Sequence, residues 1–313
     1  MNSSLTKSSW VTLAALASTA MSLQASVLLY EGFGYGLANN ASINGAAATG
    51  TGVQGNWTVT NTGTASSLYK TSDLSFGSNF ATNGGGSLQL SATYNGSNSV
   101  SSATVNLSNT GTGTIWGSYL ANFTTIGTAN SGSFVSGVAT GTNGVTSSLK
   151  SGVLSNTNDT DRKLSNGYDS TATPSGNFAF ATSTTYLFVS RFTNVGTALG
   201  GGINGAGTTW ALTQAQYESW LAGGATEAGL DSNFSVRVND ALVGSGTFAY
   251  DSNGYLVFRS DAPDNNGSAM TVTVDEVRFG TSVADIYAVP EPSTALLSLG
   301  AGLIWFSRRR RTA

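Results

Sequence analysis

Where apolar residues recur with a period in this chain, the period is mostly two, and no other feature constrains its fold as much. A strand turns successive side chains to opposite faces, so a two-residue period marks a half-buried strand. Ser87-Leu88-Gln89-Leu90-Ser91 alternates in this way, and Phe178 and Phe180 alternate with Ala179 and Ala181. Tyr186, Phe188 and Phe192 fall on one face, with Leu187, Val189 and Arg191 on the other. Phe234, Val236 and Val238 oppose Ser235 and Arg237, and Leu256 and Phe258 oppose Tyr255, Val257 and Arg259. In the last such segment Val272 and Val274 share one parity, whereas Val277 and Phe279 share the other. The change falls at Asp275-Glu276 and requires either a β-bulge or a strand covered on both faces.

Clusters of Gly, Asn, Ser and Thr at 46–55, 82–86, 110–113 and 141–144 read as the turns and loops between strands. One helix interrupts the pattern. Thr213-Gln214-Ala215-Gln216 is a capping box, Tyr217, Trp220 and Leu221 follow, and Gly223-Gly224 closes the segment. It is expected to cover one edge or end of the strands. Aromatics continue throughout (Trp57, Phe76, Phe80, Trp116, Tyr119, Phe123), so residues 26–288 read as one domain. The expected fold class is all-β, an antiparallel two-sheet sandwich with one short helix.

Composition removes most catalytic chemistry. There is no cysteine and no histidine, which excludes disulfides, thiol nucleophiles, Ser-His-Asp triads and His-ligated zinc. One of the 13 Lys/Arg lies before residue 26 and four lie beyond 289, as does one of the 16 Asp/Glu. Residues 26–289 therefore hold eight basic and fifteen acidic side chains, a net charge of −7, and no nucleic-acid partner is expected. A glycan-active enzyme would need two facing carboxylates. Asp275 and Glu276 are adjacent, so on a regular strand they point to opposite faces. Each is expected to pair with an arginine or cap a loop.

No catalytic residue is assigned, and the protein is not expected to be an enzyme. Asp261, Asp264 and Asn266, in the run from Asp261 to Gly267, offer oxygens to a calcium ion, as Asp159 and Asp161 do more weakly. The same residues are ordinary turn formers, and no other cofactor is expected. Trp57, Trp116, Trp210 and Trp220 are able to stack on sugars, but core positions are favoured for all four. The glycines at 200–202 lack the Lys-Ser/Thr of a phosphate loop.

The two ends read as addresses. Residues 1–25 carry one charge, Lys7, then the uncharged run Trp10–Met21, then Ser22-Leu23-Gln24-Ala25 with a cut expected after Ala25 or, alternatively, Ala20: the zones of a secretory signal helix. Residues 289–313 open with Pro290-Glu291-Pro292, continue through an apolar run and end at Arg308, Arg309, Arg310 and Arg311. The 15 residues from Ser293 to Ser307 would make a helix about 22 Å long, short for a hydrocarbon core of about 30 Å. The arginines would hold the cytoplasmic side of such a transmembrane helix, leaving the body outside.

The order of Pro-Glu-Pro, apolar helix and arginine cluster closely resembles the PEP-CTERM sorting signal of Gram-negative bacteria. The resemblance implies export by the secretion machinery and a tether to the inner membrane through the C-terminal helix. It also implies processing by an exosortase near Pro290-Glu291-Pro292, then release or attachment at the cell surface or matrix, often alongside exopolysaccharide. Val27-Leu28-Leu29-Tyr30-Glu31-Gly32-Phe33 resembles the opening of concanavalin A-like (laminin G-like) jelly-roll proteins. The stretches 113–120, 185–191 and 274–282 look like further parts of that pattern. The expectation is an exported, non-catalytic surface or matrix protein, with extracellular polysaccharide as the candidate ligand. The alternatives are a carboxylate-dependent glycan-active enzyme on the same fold and a purely structural surface protein.

Overall fold

The computed structural model describes residues 27–287 except positions 79, 81, 83, 127–132, 140–147, 156–161, 168–176, 179, 200–204, 234–236, 243–245, 248–249, 251 and 263–268. The signal and sorting segments, with the helices expected in them, lie outside the described residues, as do Phe234, Val236 and the cluster at 141–144.

Two antiparallel sheets face each other. The larger one runs in the order β14 (Arg237–Leu242), β13 (Gly205–Leu212), β11 (Thr185–Val195), β6 (Gly113–Ile126), β17 (Ala269–Gly280), β4 (Ser87–Thr93) and β3 (Thr64–Lys70). Its eighth strand, β1 (Val27–Glu31), also pairs with β17. The seven-stranded sheet runs β10 (Asn177–Phe178), β9 (Arg162–Gly167), β8 (Ser148–Ser155), β7 (Ser133–Ala139), β16 (Tyr255–Ala262), β5 (Ser99–Leu107) and β2 (Val53–Thr62). Two short strands, β12 (Ala198–Leu199) and β15 (Gly246–Thr247), pair separately. The chain passes repeatedly from one sheet to the other, and the expected antiparallel two-sheet sandwich is the fold observed. β2 begins at Val53, inside the 46–55 cluster that was expected to be loop. The Gly/Asn content there obscures its start.

The main core lies between the sheets. Leu88 and Leu90, Phe188 and Phe192, Leu256 and Phe258 all enter it, as their alternation predicts. Tyr119 stacks on Phe188 at 4.9 Å between ring centroids, and Phe134 meets Tyr119 edge-on. Large aromatics bury the most apolar area per residue, so this layer supplies much of the drive to fold.

A second core covers the outer face of the eight-stranded sheet. Leu187 and Val189, on the opposite parity of β11, join Trp116, Leu120, Trp210 and Leu212 beneath Phe76, Phe80, Tyr217, Trp220, Leu230 and Ile286. Two helices supply part of this cover, α1 (Gln214–Ala222) and α2 (Glu227–Asn233). The helix expected at an edge or end therefore lies on a face, and a second helix accompanies it. The apolar residues on both faces of β11 demand that cover. The capping box of α1 is present: the Thr213 hydroxyl accepts from the Gln216 N–H, and the Thr213 N–H donates to Gln216 Oε1 at 2.8 Å. Gly224, at φ +89°, takes the chain out of the helix in a conformation that suits glycine.

Candidate functional site

β17 changes partner along one edge. Residues up to Val274 pair with β4, where Val274 faces Leu88, and from Val277 the partner is β1, where Val277 faces Glu31. At the changeover the register against β6 slips, because Asp275 faces Leu120 and Arg278 faces Ser118. Two residues, Glu276 and Val277, therefore stand opposite Tyr119, and Glu276 takes φ +53°. This bulge explains the change of parity: Val272, Val274, Val277 and Phe279 all point into the main core. Both faces of the strand are also covered, as Asp275, Glu276 and Arg278 are buried too.

The bulge gathers the densest set of charged groups among the described buried residues. Arg278 Nη2 donates to Glu276 Oε2 at 2.7 Å, and Tyr30 Oη donates to the same oxygen at 2.9 Å. The Arg278 guanidinium lies over the rings of Phe80 and Tyr30, 4.8 and 5.4 Å from their centroids. Asp275 accepts the Leu74 N–H at 2.9 Å on one oxygen and the Glu276 N–H at 2.7 Å on the other. On β1, Glu31 accepts the Phe33 N–H at 2.7 Å and the Tyr35 hydroxyl at 2.6 Å, and Tyr35 in turn accepts from Trp57 Nε1.

Burial dominates the electrostatics. It lifts the Asp275 carboxyl to about 8, against the pull of its backbone donors, with the nearby Glu276 charge adding to the rise. Burial also raises Glu31, opposed by the Tyr35 hydroxyl and by backbone N–H groups. The Tyr30 and Tyr35 hydroxyls are pushed up by burial and by their carboxylate neighbours. Each acid here is engaged by an arginine, a tyrosine or a backbone donor. The expectation that Asp275 or Glu276 would pair with an arginine or cap a loop holds for both. Tyr30, Glu31 and Tyr35 were missed, although an acid inside the buried run Leu29–Phe33 was the available signal.

The outer face of the seven-stranded sheet is the other candidate. Tyr255, Val257, Arg259 and Asp261 stand on the face of β16 opposite Leu256 and Phe258. Beside them on β5 are Asn106, Thr104 and Ser102, and Thr58 and Thr60 follow on β2. Arg259 Nε donates to both oxygens of Asp261, at 2.8 and 2.9 Å, and the Ser133 hydroxyl adds a bond of 3.3 Å. Asp261 is thus committed to an arginine, while Asp264, Asn266, Asp159 and Asp161 lie outside the described residues. Among the described residues no three acidic side chains group as a metal site would need. Trp57, Trp116, Trp210 and Trp220 are all core residues. No described helix is long and apolar enough to cross a membrane, and Pro290, Glu291, Pro292 and Arg308–Arg311 lie outside the described residues.

Comparison with known proteins identifies the tail. Residues 288–311 match the PEP-CTERM protein-sorting motif, so the chain carries a sorting signal at its C-terminus. No curated protein matches the chain. Among solved structures, the endo-beta-1,4-glucuronan lyase of the fungus Trichoderma reesei is 13% identical, with a TM-score of 0.44 over 80% of this chain and 96% of that one. The carbohydrate recognition domain of Emp47p is 9% identical, with a TM-score of 0.44 over 82% and 97%. The cellulose induced protein Cip1 is 13% identical, with a TM-score of 0.40 over 72% and 91%. Likenesses this distant carry nothing about activity.

Proposed function

We propose that this is an exported, non-catalytic protein of the cell surface or extracellular matrix. An exosortase reads its tail at Pro290-Glu291-Pro292, and its body binds polysaccharide. The match of residues 288–311 to the protein-sorting motif carries the reading. The tail holds the chain in the inner membrane with the body outside, and processing then releases the body from that tether. The apolar run is short for a permanent anchor.

The non-catalytic part is supported by the engagement of Glu31, Asp275, Glu276 and Asp261 with internal donors. The polysaccharide part is supported by the outer face of the seven-stranded sheet. There Thr58, Thr60 and Asn106 stand exposed beside the half-buried Tyr255 and suit the hydroxyl groups of a neutral glycan.

Mass spectrometry of the C-terminus of the surface-exposed protein tests the sorting. Loss of Arg308–Arg311 is expected, and an intact tail there overturns processing. A glycan array and calorimetry with the secreted polymer, with and without calcium, test the ligand. Silence in both leaves a purely structural role.

A further inference from the structure

The body is fixed to its last described residue. Beyond β17 the chain makes a 3₁₀ turn, Val283–Ile286, with the Ser282 N–H donating to Asp285 Oδ2 at 2.8 Å. Ile286 is fully buried, and its carbonyl accepts from the Ser118 hydroxyl at 2.7 Å. The Tyr287 carbonyl accepts from Tyr217 Oη at 2.9 Å, and the Tyr287 ring meets Trp220 edge-on with centroids 5.2 Å apart. Asp285 lies so close to β17 that a Cβ at Gly280 would stand 2.1 Å from the Asp285 Cβ. Residues 283–287 therefore form a strap bound to β6 and α1 rather than a loose linker.

Pro290 follows Tyr287 by three residues. Three residues reach about 11 Å at full extension. An α-helix with its side chains is about 10–12 Å across. An enzyme that closes around Pro290-Glu291-Pro292 thus has no room to place even one helix between its cleft and the body.

We propose that the α1 end of the body is a second contact surface for the membrane enzyme that reads the tail, and that the strap sets the distance between this surface and the motif. The proposal rests on the reading that the tail is processed. Gln214, Ala215, Ser219 and Ala222 are the exposed positions of α1 that such an enzyme would meet. A motif kept within about 11 Å of a second contact gains effective concentration at the cleft, and a longer flexible spacer reduces that gain. If the enzyme read the motif alone, added length would leave the rate unchanged or raise it by relieving crowding.

The test uses the full chain in its own host, followed by pulse-chase from the unprocessed to the shortened form. An eight-residue Gly-Ser insert between Tyr287 and Ala288 leaves the strap intact and is expected to slow conversion about tenfold or more. The double substitution Ala215→Arg and Ser219→Arg, on one face of α1, is expected to slow it similarly. Conversion at or above the wild-type rate in either variant overturns the proposal. Replacing Pro290, Glu291 and Pro292 by alanine separates the two readings. Blocked conversion upholds processing of the motif, whereas normal shortening of that chain means that the sorting reading itself has failed.

Discussion

Glu276 and Arg278, two residues apart on β17, form an ion pair of 2.7 Å with both side chains 1% exposed. The pair sits where β17 exchanges β4 for β1 along one edge, so it stabilises the junction of three strands. Its value lies in being complete, because a lone buried charge is far costlier than a matched pair.

Breaking the pair from one side is expected to be severe. Glu276→Gln leaves the Arg278 charge buried, and the loss in stability is expected to be about 3–5 kcal/mol. Equilibrium urea unfolding reads it. The double variant Glu276→Gln with Arg278→Met removes the charge as well and is expected to recover most of that loss. A double variant no more stable than the single one would place the cost in packing or in the backbone at φ +53° instead.

Stability is expected to fall as pH rises. The Asp275 carboxyl stands at about 8 in the folded protein against an ordinary 3.8, so the folded state keeps a proton that the unfolded chain releases. Its favourable contribution is full below about pH 4 and is lost progressively towards pH 8. Glu31, also raised by burial, acts in the same direction. The urea midpoint should be lower at pH 8 than at pH 5. Asp275→Asn should flatten most of that slope, while lowering stability at low pH because an amide nitrogen replaces one acceptor.

Arg191 ties α2 to the sheet. Its guanidinium lies over Trp116 and Trp210, 5.7 and 5.6 Å from the centroids, and pairs with Glu227 and Asp231. Arg191→Lys keeps the charge but loses the planar stack, with an expected cost of about 1–2 kcal/mol. Near-ultraviolet circular dichroism of the stacked indoles should change. An unchanged spectrum would show the stack to be independent of the arginine.

Gly280→Ala is expected to lift the strap. The new Cβ meets Asp285 on the strap itself, so the least costly relief is to move residues 283–287. Limited proteolysis should then cut between 281 and 288, with the far-ultraviolet spectrum of the sandwich unchanged. Resistance equal to wild type would mean that the strap absorbs the methyl group in place.

Much of this architecture was legible in the sequence, and the gaps have physical causes. The slip in parity at Asp275-Glu276 located the irregularity to the residue but left a bulge and a strand covered on both faces as alternatives, and the structure has both. The capping box of α1 is likewise local. Its position was misjudged because the apolar residues on both faces of β11, which call for cover on a face, were not combined with the helix. α2, with Leu230 as its one buried large apolar residue, carries no helical period to detect. The acid cluster was the least legible part. Tyr30 and Glu276 are 246 residues apart, and neither carries a sign of the other. The sorting tail needs no fold to be recognised, and its residue order alone sufficed.

The pairing of β1 with β17 also bears on when this protein folds. The first and last of the described strands lie side by side, and β17 is flanked by β6 on one edge and by β4 and β1 on the other. Until residues 269–280 have emerged, the larger sheet lacks the strand that joins its two halves. Contacts this distant in sequence form slowly. The larger sheet therefore closes only when nearly all of the body is available, just ahead of the sorting tail.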